Sequence, residues 1–239
     1  MSPARPCTGL RAAVAASMGL SEGPAGSARS GRLLRPPSPA PAAPGARLFR
    51  LPGSGAVRAA NPERAGLYRV KGRSETKPLA VCLGRVADVY RYCRVRVPEG
   101  LLNDLLPGPV TLVMERSEEL NKDLNPFTPL VGIRIPDHAF MQDLAQVFGG
   151  PLALTSANLS SQTSSLNVEE FQDLWPRLSL VIDGGPIGDD QSPECRLGST
   201  VVDLSVPGEF GIIRPGCALE STSAILQKYG LLPLRGSCL

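Results

Sequence analysis

The sequence predicts an α/β domain over residues 67–239, a twisted mixed sheet with flanking helices, behind a Pro/Ala/Arg-rich segment over residues 1–66. Three observations predict it. Short apolar runs bounded by Pro or Gly alternate with stretches whose apolar residues recur at helical spacing. Toward the C-terminal end the runs read increasingly as strands. The longest of them, about five to six residues, are far short of the roughly 20 that a membrane-spanning helix needs.

Taken in order, LAVCL (79–83), between Pro78 and Gly84, reads as a buried strand. RVADVYRYC (85–93) carries Val86, Val89, Tyr90 and Cys93 at helical spacing. PEGLLNDLLPG (98–108) opens on Pro and an acid and closes on Pro-Gly, the punctuation of a short helix. VTLVME (110–115) and LVGIRIP (130–136) read as strands. DHAFMQDLAQVFGG (137–150) reads as a helix with Asp137 as N-cap and Gly149 as stop. PLALTSA (151–157) is a further strand, and NVEEFQDLWP (167–176) a helix N-capped by Asn167 with Glu170 at the capping-box position. SLVIDGG (179–185), STVVDLS (199–205) and EFGIIRP (209–215) read as strands, and ALESTSAILQKYG (218–230) as a final helix ended by Gly230. No internal repeat is present.

Charge is unevenly placed. Residues 1–66 hold nine Arg and no Lys against Glu22 and Glu63, a balance of +7, while residues 67–239 hold 16 Lys+Arg against 20 Asp+Glu, a balance of −4. The folded part is therefore mildly acidic, which argues against a broad, sequence-independent nucleic-acid surface on it. The six cysteines (7, 82, 93, 195, 217, 238) are scattered without a CxxC pair, and His138 is the one histidine, which argues against a Cys/His zinc site. The same spacing gives no disulfide framework and fits a reducing compartment.

In the first 66 residues, LRPPSPAPAAPGA (34–46) cannot form a helix or a ladder and cannot bury enough apolar area to offset ordering entropy, so disorder is expected. Near the start, Arg5 and Arg11 accompany GLRAAVAASMGL, a helix-capable stretch with no acid before Glu22. That composition suits a mitochondrial targeting segment as well as a plain low-complexity tail. The expected location is cytoplasmic and mitochondrial.

No G-x-x-x-x-G-K-S/T or G-x-G-x-x-G cradle is present. A Ser-His-Asp triad would have to use His138, which reads more simply as a surface or capping residue. Small polar and cationic groups at element ends remain. LTSANLSSQTSS (154–165) runs from an apolar strand into hydroxyls and amides, at the strand end where open α/β sheets place ligands, though a Ser/Asn-rich turn reads the same. IDGGPIGDD (182–190) is a Gly-rich turn whose Asp183, Asp189 and Asp190 read as loop acids. Ser199 and Thr200 open a strand, and Arg214 closes one. In KGRSETK (71–77), Lys71, Arg73 and Lys77 form either a solvated face at a helix end or a clamp for a triphosphate.

As an ordered set, KGR, KPLAV, PGPVTLV (107–113), GIRIPDH (132–138), TSANLS (155–160), STVVDL (199–204) and IIRPG (212–216) resemble the YrdC-like threonylcarbamoyl-AMP synthases over about residues 67–230. The eukaryotic members, which also carry a Pro/Ala-rich N-terminal extension, are the most similar. The resemblance implies synthesis of threonylcarbamoyl-adenylate from L-threonine, bicarbonate (or CO2) and ATP, with release of pyrophosphate. A tRNA threonylcarbamoyl-transferase complex would consume the product, with an RNA contact, and Mg2+ would accompany ATP. It also implies roles for residues: Lys71, Arg73, Ser156 and Asn158 as the catalytic set; Arg73, Lys77, Ser156, Ser164 and Arg214 on ATP; Cys82, Arg134, Ser199 and the Leu154 backbone on threonine. Position 82, often His in the family, is Cys here. No strong base is required, because positioning and charge neutralisation on pyrophosphate do most of the work of nucleotidyl transfer.

The family's P-T-D/E-T-x-Y-G-L motif, on the first core strand, is absent, and Ala65-Gly66 passes straight to Leu67-Tyr68. Family members place a helix, that strand and a second helix in this gap. The expectation is a chain short of a core strand and of a substrate-binding threonine: a splice form, an incomplete gene model or a decayed copy, poorly stable and weakly active or inactive. If it acts at all in that case, it does so as a nucleotide- or RNA-binding regulatory protein.

Overall fold

The structure, a computed structural model, describes Tyr68, Gly72 and residues 78–159, 162–178, 180–187 and 193–234, together with the backbone of 14–16. Lys71, Arg73 and Lys77, and most of the N-terminal segment with its expected disorder, lie outside the described residues.

The strands are β1 (Val14–Ala16), β2 (Ala80–Cys82), β3 (Val110–Glu115), β4 (Leu130–Arg134), β5 (Leu152–Leu154), β6 (Leu180–Ile182), β7 (Thr200–Asp203), β8 (Glu209–Arg214) and β9 (Leu232–Pro233). The helices are α1 (Val86–Tyr92), α2 (Leu101–Leu105), α3 (Ala139–Phe148) and α4 (Leu219–Lys228). Seven strands form one sheet in the order β5-β2-β4-β3-β7-β8-β9. It is mixed as expected: β2 runs parallel to β4 and β3 to β7, whereas β2/β5, β3/β4 and β7/β8 are antiparallel.

Most predicted elements recur, and β3 has the predicted limits. Four readings change. The helix expected over 137–150 starts at Ala139, with His138 rather than Asp137 at the N-cap. His138 has extended backbone and its carbonyl accepts from Met141 and Gln142, so the first turn closes one residue past Asp137. The predicted α-helix over 167–176 is a 3-10 helix, Glu169–Arg177, with non-helical backbone at Phe171 and Pro176 inside. Asn167 still accepts from the Glu170 N–H, but Glu170 reaches Leu166 rather than closing the box. On α1, the inward aromatic is Tyr92, while Tyr90 is half-exposed. Val14–Ala16, inside the stretch read as helix-capable, instead pair antiparallel with β6, which supplies their backbone with partners. The 3-10 turns Lys122–Leu124 and Pro193–Leu197 and strand β9 had no signal in the hydrophobic pattern.

The main core joins Val81, Leu83, Val89, Leu101, Leu112, Ile133, Val202 and Phe210. A second cluster seats Met141 and Ala145 of α3 on Cys82 and Leu152. That contact is close: a Cβ at Gly84 would lie 2.9 Å from the Gln142 carbonyl oxygen.

Buried Asn125 staples the entry to β2. Its Oδ1 accepts from Leu79 N at 2.8 Å, and its Nδ2 donates to the carbonyls of Leu79 and Leu130 at 3.0 and 3.3 Å. Arg116 holds the staple in place by donating to the Asn125 carbonyl. Asn125→Ala leaves these backbone groups buried and unpaired, and the expected cost is about 2–3 kcal/mol in a denaturant melt. A loss under ~0.5 kcal/mol, the range of ordinary surface substitutions, would refute the role.

Candidate active site

Sheet register assembles the site. In the β2/β4/β5 ladder Cys82 pairs with Arg134 and with Leu152, and Ala80 pairs with Gly132 and with Leu154. Side chains two apart on a strand share a face, so Cys82, Arg134, Ala80 and Leu154 line one face, with Gly132 between them. The β3/β4 register, in which Leu112 pairs with Ile133, sets Thr111 beside Arg134 on that face. A Cβ on Gly132 would stand 3.0 Å from Thr111 Cγ2 and 3.3 Å from Ala80 Cβ, so glycine keeps the floor low there.

Strands β7 and β8 close the next side. Thr200 N bonds to the Pro109 carbonyl, placing Ser199 level with the start of β3. The Ser199 hydroxyl lies 2.8 Å from Thr111 Oγ1. Arg214 Nη2 donates to the Ser199 carbonyl at 2.8 Å and to its Oγ at 3.2 Å. The turn after Arg214 packs so tightly that a Cβ on Gly216 would sit 2.3 Å from Thr200 N and 2.4 Å from Ser199 C. Gly198, at φ +72°, lies beneath both Ser164 and Arg214: a Cβ there would be 3.3 Å from Ser164 Oγ and 3.5 Å from Arg214 Nη2.

Electrostatics follow from burial. Arg134 is 9% exposed, and among the described residues its Nε and Nη2 are buried with no hydrogen-bond partner. Its pKa is pushed down to about 10, first by desolvation, with the Arg214 charge acting in the same direction. Arg214 is likewise lowered by burial. Burial raises the Cys82 thiol to about 11 although Arg134 opposes the shift, and Cys217 is raised for the same first reason. Among the described residues no carboxylate is one of the charges that shift either guanidinium. Two cations, protonated thiols and hydroxyls make a receptor for an anion with oxygen acceptors. Among the described residues no group of three or more His, Cys, Asp or Glu side chains could hold a metal ion.

The structure thus brings together Cys82, Arg134, Leu154, Ser199, Arg214 and Ser164. Ser156 is exposed on the loop that follows β5. Asn158 is buried in the same loop, donating to the Gln162 carbonyl at 2.7 Å, while the Gln162 side chain accepts from Leu159 N. Thr111 was missed by sequence reasoning, although it sits within the quoted PGPVTLV; nothing in a strand pattern tells a packing threonine from one bonded to a site serine. Arg196 and Glu170 were missed as partners: Arg196 bonds Glu170 at 2.8 Å and the Ser164 carbonyl at 3.3 Å, so it ties the Ser-rich loop to the Pro193–Leu197 turn.

Comparison with known proteins places this fold. The Sua5/YciO/YrdC family model, described as telomere recombination, matches residues 56–216, and the chain belongs to this family. It is similar to the threonylcarbamoyl-AMP synthase of Bos taurus, at 78% identity, and to that of Homo sapiens, at 76%, each over 100% of both chains. The Bos taurus alignment runs over 278 residues against 239 in this chain, so at least 39 positions of that relative have no counterpart here. Among solved structures, P. abyssi Sua5 complexed with L-threonine aligns with TM-score 0.60 and 25% identity, covering 76% of this chain and 52% of that one. E. coli YciO, at 20% identity and TM-score 0.55, covers 65% of this chain and 74% of that one and shares the fold.

Proposed function

We propose that this chain is a threonylcarbamoyl-AMP synthase that condenses L-threonine, bicarbonate and ATP, supplied with Mg2+, into threonylcarbamoyl-adenylate and pyrophosphate. The observation that carries the reading is the buried Arg134 guanidinium, with two unpaired nitrogens beside the Ser199–Arg214 pair. A buried cation with unpaired nitrogens is costly and is retained where a ligand anion completes it. The threonine carboxylate fits Arg134 and Ser199, in keeping with the L-threonine complex of the P. abyssi relative. Arg214, with Ser164 next to it and Lys71, Arg73 and Lys77 leading into β2, is assigned to the phosphates. The free threonine amine attacks the bicarbonate carbon and a C–O bond breaks with loss of water, the amine proton leaving with it. A carbamate oxygen then attacks the α-phosphorus, and the α–β phosphoanhydride bond breaks as pyrophosphate departs with its electron pair. The work of the site is alignment and neutralisation, without a side-chain base. We assign the product to tRNA modification, and the Arg-rich N-terminal segment to mitochondrial import of part of a cytoplasmic pool.

Purified protein given Mg-ATP, L-threonine and bicarbonate should release pyrophosphate only when all three substrates are present. Asn158→Ala should reduce turnover by about a hundredfold or more, the scale of losing one transition-state donor. Release that ignores threonine, or an unaffected variant, would refute the assignment. A second reading rests on the 39 or more relative positions without a counterpart: a catalytically impaired form that still binds nucleotide. Turnover within a few-fold of the Bos taurus relative sinks that alternative.

A further inference from the structure

Thr111 is 6% exposed on β3, and among the described residues its hydroxyl has Ser199 Oγ, at 2.8 Å, as hydrogen-bond partner. Ser199, 4% exposed, also receives Arg214 Nη2 on the same oxygen. In either direction of the Thr111–Ser199 bond one hydroxyl proton of the pair is left over. With Ser199 as donor the spare proton would sit on Thr111, and Ser199 would have no proton to offer a bound carboxylate. With Thr111 as donor, Thr111 and Arg214 fill both acceptor positions of Ser199 Oγ, and the serine proton is left over. Ser199 then faces the ligand as a donor only.

Resting on the functional reading above, we propose that Thr111 is a positioning residue: it orients Ser199 as an obligate donor to the threonine carboxylate, next to Arg134. The neutral hydroxyls add a directed bond where two guanidinium charges alone would accept any small anion. Because Thr111 acts through Ser199, its removal should be felt by threonine rather than by ATP.

Titration calorimetry with L-threonine and, separately, with ATP tests this on the purified chain, using Thr111→Val and Thr111→Ser after thermal melts show that each folds. Thr111→Val keeps the shape and deletes the hydroxyl. It should weaken threonine about tenfold, the scale of one directed bond, and shift ATP less than about twofold. Thr111→Ser, which restores the hydroxyl, should bind threonine within about twofold of the unaltered chain. Equal losses for both ligands, no loss for threonine, or no rescue by serine would overturn the proposal. An unaltered chain that binds no threonine refutes the functional reading instead. The proton direction is then still read by NMR in the unliganded protein, or in the serine variant should the valine variant not fold. A slowly exchanging hydroxyl proton at position 111 with a fast one at Ser199 supports it, and the reverse pattern overturns it.

Discussion

Arg134→Met should separate stability from binding. The substitution removes a guanidinium that is buried with Nε and Nη2 unpaired, and replaces it with an apolar chain able to fill the space. The folded state of the unliganded protein is then expected to be as stable as before or more so. Threonine binding should fall by about a hundredfold to a thousandfold, the loss of two charge-assisted bonds. The pH dependence follows from the lowered pKa. Between about 10 and the ordinary arginine value the folded protein binds fewer protons than the unfolded chain, so stability rises with pH through that window. Below it the penalty is present in full, including at neutral pH. The Met variant should lack that alkaline rise. Parallel denaturant melts at neutral and alkaline pH, with calorimetry on L-threonine, make the comparison. A variant several degrees less stable that still binds threonine would show that Arg134 is a structural cation.

Gly216→Ala should produce the largest structural effect of any single methyl added here. The new Cβ would stand 2.3 Å from Thr200 N, 2.4 Å from Ser199 C and 2.6 Å from the Ser199 carbonyl oxygen, all backbone atoms of a strand start. Neither side can yield by rotating a side chain. The turn must move, and with it the Cys217 N–H bond to the Gly198 carbonyl and the Arg214 grip on Ser199. A loss of about 3 kcal/mol or more is expected, at the upper end of overpacking costs. Gly149→Ala makes the control. That glycine, unlike Gly216, is at positive φ, +73°, but an added Cβ meets nothing within 4 Å, so its cost should be limited to backbone strain of about 1 kcal/mol. Equal melts for the two variants would refute the collision.

Much of the fold was legible because its signals are local. Strand β3 lies between Pro109 and a charged loop and has the predicted limits, and Gly149 ends α3 in the left-handed conformation that a stop glycine supplies. The misreadings are also local in cause. Asp137 and His138 both carry a side chain able to cap, and only the backbone at 138 shows which residue precedes the first turn. The 169–177 segment keeps helical spacing, but non-helical backbone at Phe171 splits it and Pro176 withholds a backbone donor near its end, so no continuous α-helix forms. For the site, the ordered motifs indicated residue types and chain positions, and the sheet then joined Arg134, Ser199 and Arg214.

The sequence by itself determined the α/β class, the order of most elements, the inventory of cations and hydroxyls, and the family. These properties reside in short windows or in ordered motifs, which hydrophobic period, turn residues and spacing record directly. Tertiary structure alone decided that Arg134 Nε and Nη2 are buried with no hydrogen-bond partner among the described residues, that Thr111 bonds Ser199, and that Gly216 lies against a strand start. Each of these depends on a contact between segments distant in the chain, the Thr111–Ser199 bond spanning 88 positions. Such contacts arise from strand register, and register is a property of the folded sheet rather than of any one strand.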